Sequence, residues 1–209
     1  MTTRTVAVVS AGLSNPSSTR LLADRLAAAS VAALRARGDD ATVEVVELRD
    51  HARDLADHLT TGFANQSLQA AIDTVVGADA VIAVTPVFSA SYSGLFKTFF
   101  DVLDKEALIG TPVLLGATAG TARHSLVVEF AMRPLFAYLR AAPVPTGVFA
   151  ASEDWAGGGA GAGSGALADR IDRAAAELAD ILTGRPAATG PVDPFADPTT
   201  SFEELLKGS

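Results

Sequence analysis

The residues of this chain that can do chemistry fall in three short loops. The first reads Ser10-Ala-Gly-Leu-Ser14-Asn15-Pro16-Ser17-Ser18-Thr19-Arg20. Five hydroxyl side chains lie within these eleven residues, immediately before a helical pattern. Hydroxyls and free amides at a helix N-terminus solvate an anion, and the helix dipole adds to the attraction. Capping the helix requires one hydroxyl, from Ser17 or Ser18. A run of five points to anion binding, and the design suits a terminal phosphate monoester, with Arg20 adding charge. The loop has neither Gly-x-Gly-x-x-Gly nor Gly-Lys-Ser/Thr, so it is no dinucleotide fingerprint and no nucleoside-triphosphate loop.

The second loop reads Thr85-Pro-Val-Phe88-Ser89-Ala-Ser91-Tyr92-Ser93-Gly94-Leu-Phe96-Lys97. A flat ring can rest against Pro86, Val87 and Phe88 while backbone amides and Ser89 meet its polar edge. Phe88 and Tyr92 are the aromatic candidates for a site, because Phe96, Phe99 and Phe100 recur at helical spacing and read as core. The third loop, Ala117-Thr118-Ala119-Gly120-Thr121-Ala122-Arg123-His124, has small residues that let a backbone come close to a ligand. Arg123 is the candidate for a second anion, and His124 reads as a capping or surface residue. A phosphate at one end and a flat heterocycle at the other describe flavin mononucleotide (FMN).

Elements with the right polarity must present these loops. Val6–Val9, Val43–Leu48, Ala80–Thr85, Val113–Ala117 and Val144–Ala150 are apolar, β-rich runs. Helical patterns run from Ser18 to a stop at Gly38, over Gln66–Val76, Gly94–Leu103 and Ser125–Leu139, and over Leu167–Leu182. A kink is expected at Pro134. Residues 49–65 carry no clear pattern. Strands alternating with helices predict a parallel sheet covered on both faces. In such a sheet ligands bind beyond the carboxyl ends of the strands, where the three loops lie. The Gly157–Gly165 run reads as a flexible surface linker. It follows Ser152-Glu-Asp-Trp155, whereas a phosphate loop joins a strand end directly to a helix. One domain over residues 1–183 is expected, followed by a tail over 184–209 that carries Pro186, Pro191, Pro194 and Pro198.

Composition removes other classes. The 209 residues are 49% hydrophobic, enough for one buried core. No cysteine is present, which excludes disulfides, thiolate metal sites and a cysteine nucleophile. Three histidines, His51, His58 and His124, cannot build a dense histidine metal site. A net charge of −8 disfavours nucleic acid. No run reaches the roughly 18 apolar residues of a membrane span, and the N-terminus reads as a strand, so a cytoplasmic address is expected.

Thr85–Asp101, Thr-Pro-Val-Phe-Ser-Ala-Ser-Tyr-Ser-Gly-Leu-Phe-Lys-Thr-Phe-Phe-Asp, closely resembles the flavin-ring loop of NADPH-dependent FMN reductases. Ala117–Leu126 and Glu129–Leu135 resemble their second ring loop and the helix after it, and residues 10–20 their phosphate loop. The likeness runs over residues 4–183. It is nearest to the reductases that supply reduced flavin to alkanesulfonate monooxygenases, in the actinobacterial subgroup with Ala-Gly-Leu-Ser after the first strand. The resemblance implies a flavodoxin-like three-layer α/β sandwich, a five-stranded parallel sheet in order 2-1-3-4-5, non-covalent FMN, and homodimers or homotetramers built through helices near the flavin. Carried over by position, Ser10, Ser17, Ser18 and Thr19 hold the phosphate. Pro86, Val87, Phe88 and Ser89 flank the ring. Thr118, Ala119, Gly120 and Thr121 face its pyrimidine side. An arginine common in the family's first loop is missing, with Leu13 and Ser14 in that region. Either Arg20 replaces its charge or neutral donors hold the phosphate.

The implied reaction is hydride transfer from NADPH to FMN, with no side-chain nucleophile or base, since the cofactor carries the chemistry. Arg123 is the candidate for the NADPH phosphates, and a flavin-dependent monooxygenase the candidate recipient of reduced flavin. Two other activities share this outline: a quinone or azo reductase with bound FMN, and a flavodoxin-type electron carrier that is not an enzyme.

Overall fold

The computed structural model describes residues 2–156 and 162–184. β1 (Thr3–Ser10) leads through the serine-rich loop into α1 (Ser18–Ala36), and β2 (Asp40–Glu47) follows. A 3₁₀ turn over Leu48–His51 enters α2 (Ala52–Thr61), then α3 (Gln66–Val76) and β3 (Ala80–Phe88). β4 (Ser91–Tyr92) folds back on β3 before α4 (Gly94–Asp101) and β5 (Pro112–Ala119). The chain continues through α5 (Arg133–Tyr138), β6 (Ala142–Pro143), β7 (Val148–Ala151), α6 (Ser152–Ala156) and α7 (Ala162–Thr183).

The sheet runs β2-β1-β3-β5, with β6 and β7 both parallel to β5. Apart from the antiparallel β4, this is the order 2-1-3-4-5 of a flavodoxin-like sandwich. Alternation along each strand divides the core. Val6, Val8, Ile82, Val84 and Leu114 face Leu22 and Leu26 of α1 and Ile171 and Leu178 of α7. Ala7, Val9, Val81, Ala83 and Leu115 face the other helices, α2 to α5. There Phe96, Phe99, Phe100 and Phe136 form a cluster, with Phe100 and Phe136 edge to face at 4.8 Å. At the amino end of the sheet, buried Arg4 pairs with Asp39 and Asp79, and Asp79 accepts from the Thr5 amide at 2.8 Å.

Four local departures have physical causes. The fifth strand is two pieces, because Pro143 and Pro145 interrupt the donors a continuous ladder needs. The helix expected over Ser125–Leu139 is a 3₁₀ turn (Ala122–His124), a π-helical turn (Val128–Met132) and α5. Pro134 has no N–H for the carbonyl of Phe130, so the regular ladder cannot pass this point. Residues 49–65 hold α2, closed by Gly62 at φ 78°. α7 begins at Ala162, so residues 162–165 are helical rather than linker, while 157–161 and 185–209 lie outside the described residues. α1 ends as expected before Gly38, whose φ of 86° suits glycine. Among the described residues no helix is long and apolar enough to cross a membrane.

Candidate functional site

The loops after β1, β3 and β5 close around a crevice of about 350 Å³ over the carboxyl edge of the sheet. The first wall is built by the start of α1. Ser17 is its N-cap, in extended geometry, and its Oγ accepts from the Arg20 amide at 3.2 Å. This fit depends on Gly12, where an added Cβ would stand 2.1 Å from the Ser17 Oγ. The Asn15–Pro16 bond is cis. Leu13, Ser14, Ser17, Ser18 and Thr19 line the wall.

The second wall is Pro86, Val87 and Phe88 at the end of β3. Ser89 and Ala90 turn the chain into β4 with φ of 48° and 67°. Two central residues at positive φ define a type I′ hairpin turn, the hand that suits strand twist. Thr85 secures its base, donating to the Pro86 carbonyl at 2.9 Å and accepting from the Ser93 amide at 3.0 Å. Ser93 in turn caps α4, accepting from the Phe96 amide at 3.2 Å. Phe88 is half exposed at the crevice edge.

The third wall is Thr118, Ala119 and Gly120 after β5. It is joined to the first by a hydrogen bond of 2.8 Å between the Thr19 and Thr118 hydroxyls, both buried. Nine of the residues singled out from sequence therefore stand together: Ser17, Ser18, Thr19, Pro86, Val87, Phe88, Thr118, Ala119 and Gly120.

The others stand elsewhere. Ser10 is fully buried at the end of β1, and its Oγ has no hydrogen-bond partner. Ser89 occupies the hairpin tip, and Thr121 is exposed ahead of the 3₁₀ turn. Arg123 lines a neighbouring crevice of about 270 Å³ with Ala90, His124 and Phe130. Arg20 is turned to carboxylates: Nε donates to Asp24 at 2.7 Å and Nη1 to Glu47. These bonds, Asp24 first, raise its pKa above the ordinary arginine value despite partial burial.

Among the described residues, those lining the crevice include no charged side chain. Its donors are hydroxyls and backbone amides, chemistry for holding an anion by hydrogen bonds rather than by an ion pair. Ser152, at the start of α6, completes the lining and was missed in the sequence. The signal was available, because Ser152 follows the carboxyl end of the last strand just as the three loops follow theirs. A larger cavity of about 480 Å³ lies toward β7, but its polar groups are largely taken. Arg170 meets Asp154 at 3.2 Å, and Glu129 meets Arg133 at 2.7 Å.

A family model described as NADPH-dependent FMN reductase matches residues 4–156. The FMN reductase (NADPH) of Pseudomonas aeruginosa is 41% identical over 152 residues, 72% of this chain and 78% of the relative. The NADH-dependent FMN reductase SfnE of Pseudomonas putida is 37% identical over 179 residues, 86% of this chain and 92% of the relative. Among solved structures, an oxidoreductase from Corynebacterium diphtheriae is similar at TM-score 0.84 and 47% identity, covering 89% of this chain and 100% of that one.

Proposed function

The chain belongs to the NADPH-dependent FMN reductase family, and from that membership we propose that its crevice binds FMN non-covalently and presents it to NAD(P)H for hydride transfer. The observation that carries this reading is the joining of a hydroxyl-rich helix N-terminus to the loop after β5 through Thr19 and Thr118, opposite the Pro86–Phe88 wall.

The residues present fit the coenzyme. The donor set of Ser17, Ser18 and Thr19 at a helix start suits a phosphate monoester. The unpartnered Ser10 Oγ beneath the same loop adds a hydroxyl with capacity to spare. In this reading Ser17, Ser18 and Thr19 hold the phosphate, with Ser10 buried behind them, and Pro86, Val87 and Phe88 flank the ring, with Ser89 beyond them at the hairpin tip. Thr118, Ala119 and Gly120 face its pyrimidine side, where their amides stabilise developing negative charge, with Thr121 outside the crevice wall. FMN supplies the hydride-accepting chemistry when bound, and the chain supplies position and exclusion of water. Arg123, which shares a neighbouring crevice with Ala90, is the candidate for the dinucleotide phosphates.

Arg20 is committed to Asp24 and Glu47, which supports the neutral-donor alternative for the phosphate. Neutral hydrogen bonds are weaker than charge-assisted ones. Such a site favours an exchangeable flavin, released in reduced form to a partner monooxygenase. Leu126 and Phe130, which line the neighbouring crevice with Arg123, expose large apolar surface, which supports a homodimer or homotetramer built through this region. A cytoplasmic address follows from the reductant, an intracellular dinucleotide.

The test is NAD(P)H oxidation by the purified protein, with and without added FMN. FMN-dependent turnover is expected. Binding of FMN without turnover would favour a flavodoxin-type carrier, and faster turnover with quinones or azo dyes a reductase of those acceptors.

A further inference from the structure

We infer that Arg49 is a positioning residue for the serine-rich loop, acting with Glu47 as a clamp that sets the loop's hydroxyls and amides for a phosphate monoester. The inference rests on the FMN reading of the crevice and concerns residues outside its walls.

The loop leaves β1 at Ser10 and must arrive at Ser17 in capping geometry. Midway, the Ser14 carbonyl accepts from Arg49 Nη1 at 3.2 Å. Arg49 comes from the 3₁₀ turn after β2, the strand paired with β1. Its Nε lies 3.1 Å from Glu47 Oε2, an ion-pair distance without hydrogen-bond alignment. The other Glu47 oxygen accepts from Arg20 Nη1, and Arg20 reaches Asp24 one turn further along α1. One carboxylate, 15% exposed, is thus held between two guanidiniums. Through it the middle of the loop and the first turn of α1 are fixed to the end of β2.

Neutral donors depend on geometry more than on charge, because hydrogen bonds weaken steeply with misalignment. A crevice without a charged wall therefore needs its hydroxyls held by supporting groups. Arg20 and Arg49 carry positive charge near the loop, yet Glu47 and Asp24 engage it. Two roles for these arginines predict opposite signs. If they attract the phosphate as charges, removing Glu47 frees them and tightens FMN. If they position the loop, removing Glu47 loosens it.

The experiment is flavin-fluorescence titration of FMN and riboflavin into wild type, Arg49→Met, Arg49→Lys and Glu47→Gln, with circular dichroism melts to confirm folding. Arg49→Met is expected to weaken FMN about tenfold, because misaligned donors lose hydrogen-bond strength steeply, and riboflavin by less than about twofold. Arg49→Lys, which cannot reach both Ser14 and Glu47 with a forked group, recovers part of the loss. Glu47→Gln weakens FMN. Equal losses for both flavins in Arg49→Met, no loss at all, or tighter FMN in Glu47→Gln would overturn the inference. A wild type that binds neither flavin would instead overturn the FMN reading itself. A wild type that prefers FMN by the same ratio as every variant sinks the clamp alone.

Discussion

At the residue scale the crevice is assembled by small side chains in exact register with one another. Thr19 and Thr118 share one buried hydrogen bond, and each is the other's partner. Thr118→Val strands the Thr19 hydroxyl and is expected to cost about 1–3 kcal/mol of unfolding free energy. Thr19→Val with Thr118→Val should cost less than the sum of the single changes, as a denaturant-melt mutant cycle will show. Toward the ligand, Ser18→Ala with Thr19→Ala should weaken FMN by about tenfold or more, at about 0.5–1.5 kcal/mol per neutral hydrogen bond lost. Riboflavin, which lacks the phosphate, should be nearly indifferent, and calorimetric titration of both flavins checks this. Gly12→Ala drives a Cβ onto the Ser17 hydroxyl, so loss of the cap, about 1 kcal/mol, is a lower bound on its cost in a thermal melt. The serine run was legible as the start of α1, where Ser17 is the cap. The commitment of Arg20 to Asp24 and Glu47 was not, because its partner on β2 is 27 residues distant in sequence and meets it only through strand pairing.

At the element scale, local signals decided what was readable. Gly38 ended α1 as expected, and Phe96, Phe99 and Phe100 are core as expected, joined by Phe136 from α5. The β3–β4 hairpin reads as a loop in the sequence, since Ser89-Ala90 carries none of the Asn-Gly or Asp-Gly chemistry that marks a type I′ turn. Ser89 at φ 48° and Ala90 at φ 67° are both strained, because left-handed backbone costs a residue with a Cβ about 1–2 kcal/mol. Ala90→Gly is expected to stabilise the fold by up to about that amount, reduced by glycine's greater freedom when unfolded. A urea titration that finds Ala90→Gly destabilising would contradict the strain.

The π-helical turn is braced by the Glu129–Arg133 pair one turn apart. The hydrogen bond from Arg133 first, and its charge second, hold the Glu129 carboxyl below its ordinary pKa despite partial burial. The depressed value means the pair contributes stability above the unfolded glutamate pKa and loses it as pH falls through the folded one. Glu129→Gln should therefore bring wild type and variant closer in stability on acidification. A half-exposed pair is worth little, about 1 kcal/mol at most.

At the scale of the whole molecule, continuous apolar runs made the central strands visible, since β1, β3 and β5 are buried on both faces. Strand order came from family resemblance, because periodicity identifies strands without ordering them. The last strand is shorter than its sequence suggests, because its valines and phenylalanine read as one β-run while the ladder breaks between Pro143 and Val148. The rule that ligands gather at the carboxyl edge located the crevice without any catalytic side chain to point at. The same architecture serves electron carriers, so fold alone does not choose between them.

The most direct measurement is the anaerobic visible absorption of FMN with NADPH, recorded with and without stoichiometric protein. The account predicts rapid bleaching of the flavin bands only when the protein is present, and its loss in the Ser18→Ala, Thr19→Ala variant at limiting FMN. Flavin bands that persist unchanged with wild-type protein would contradict it.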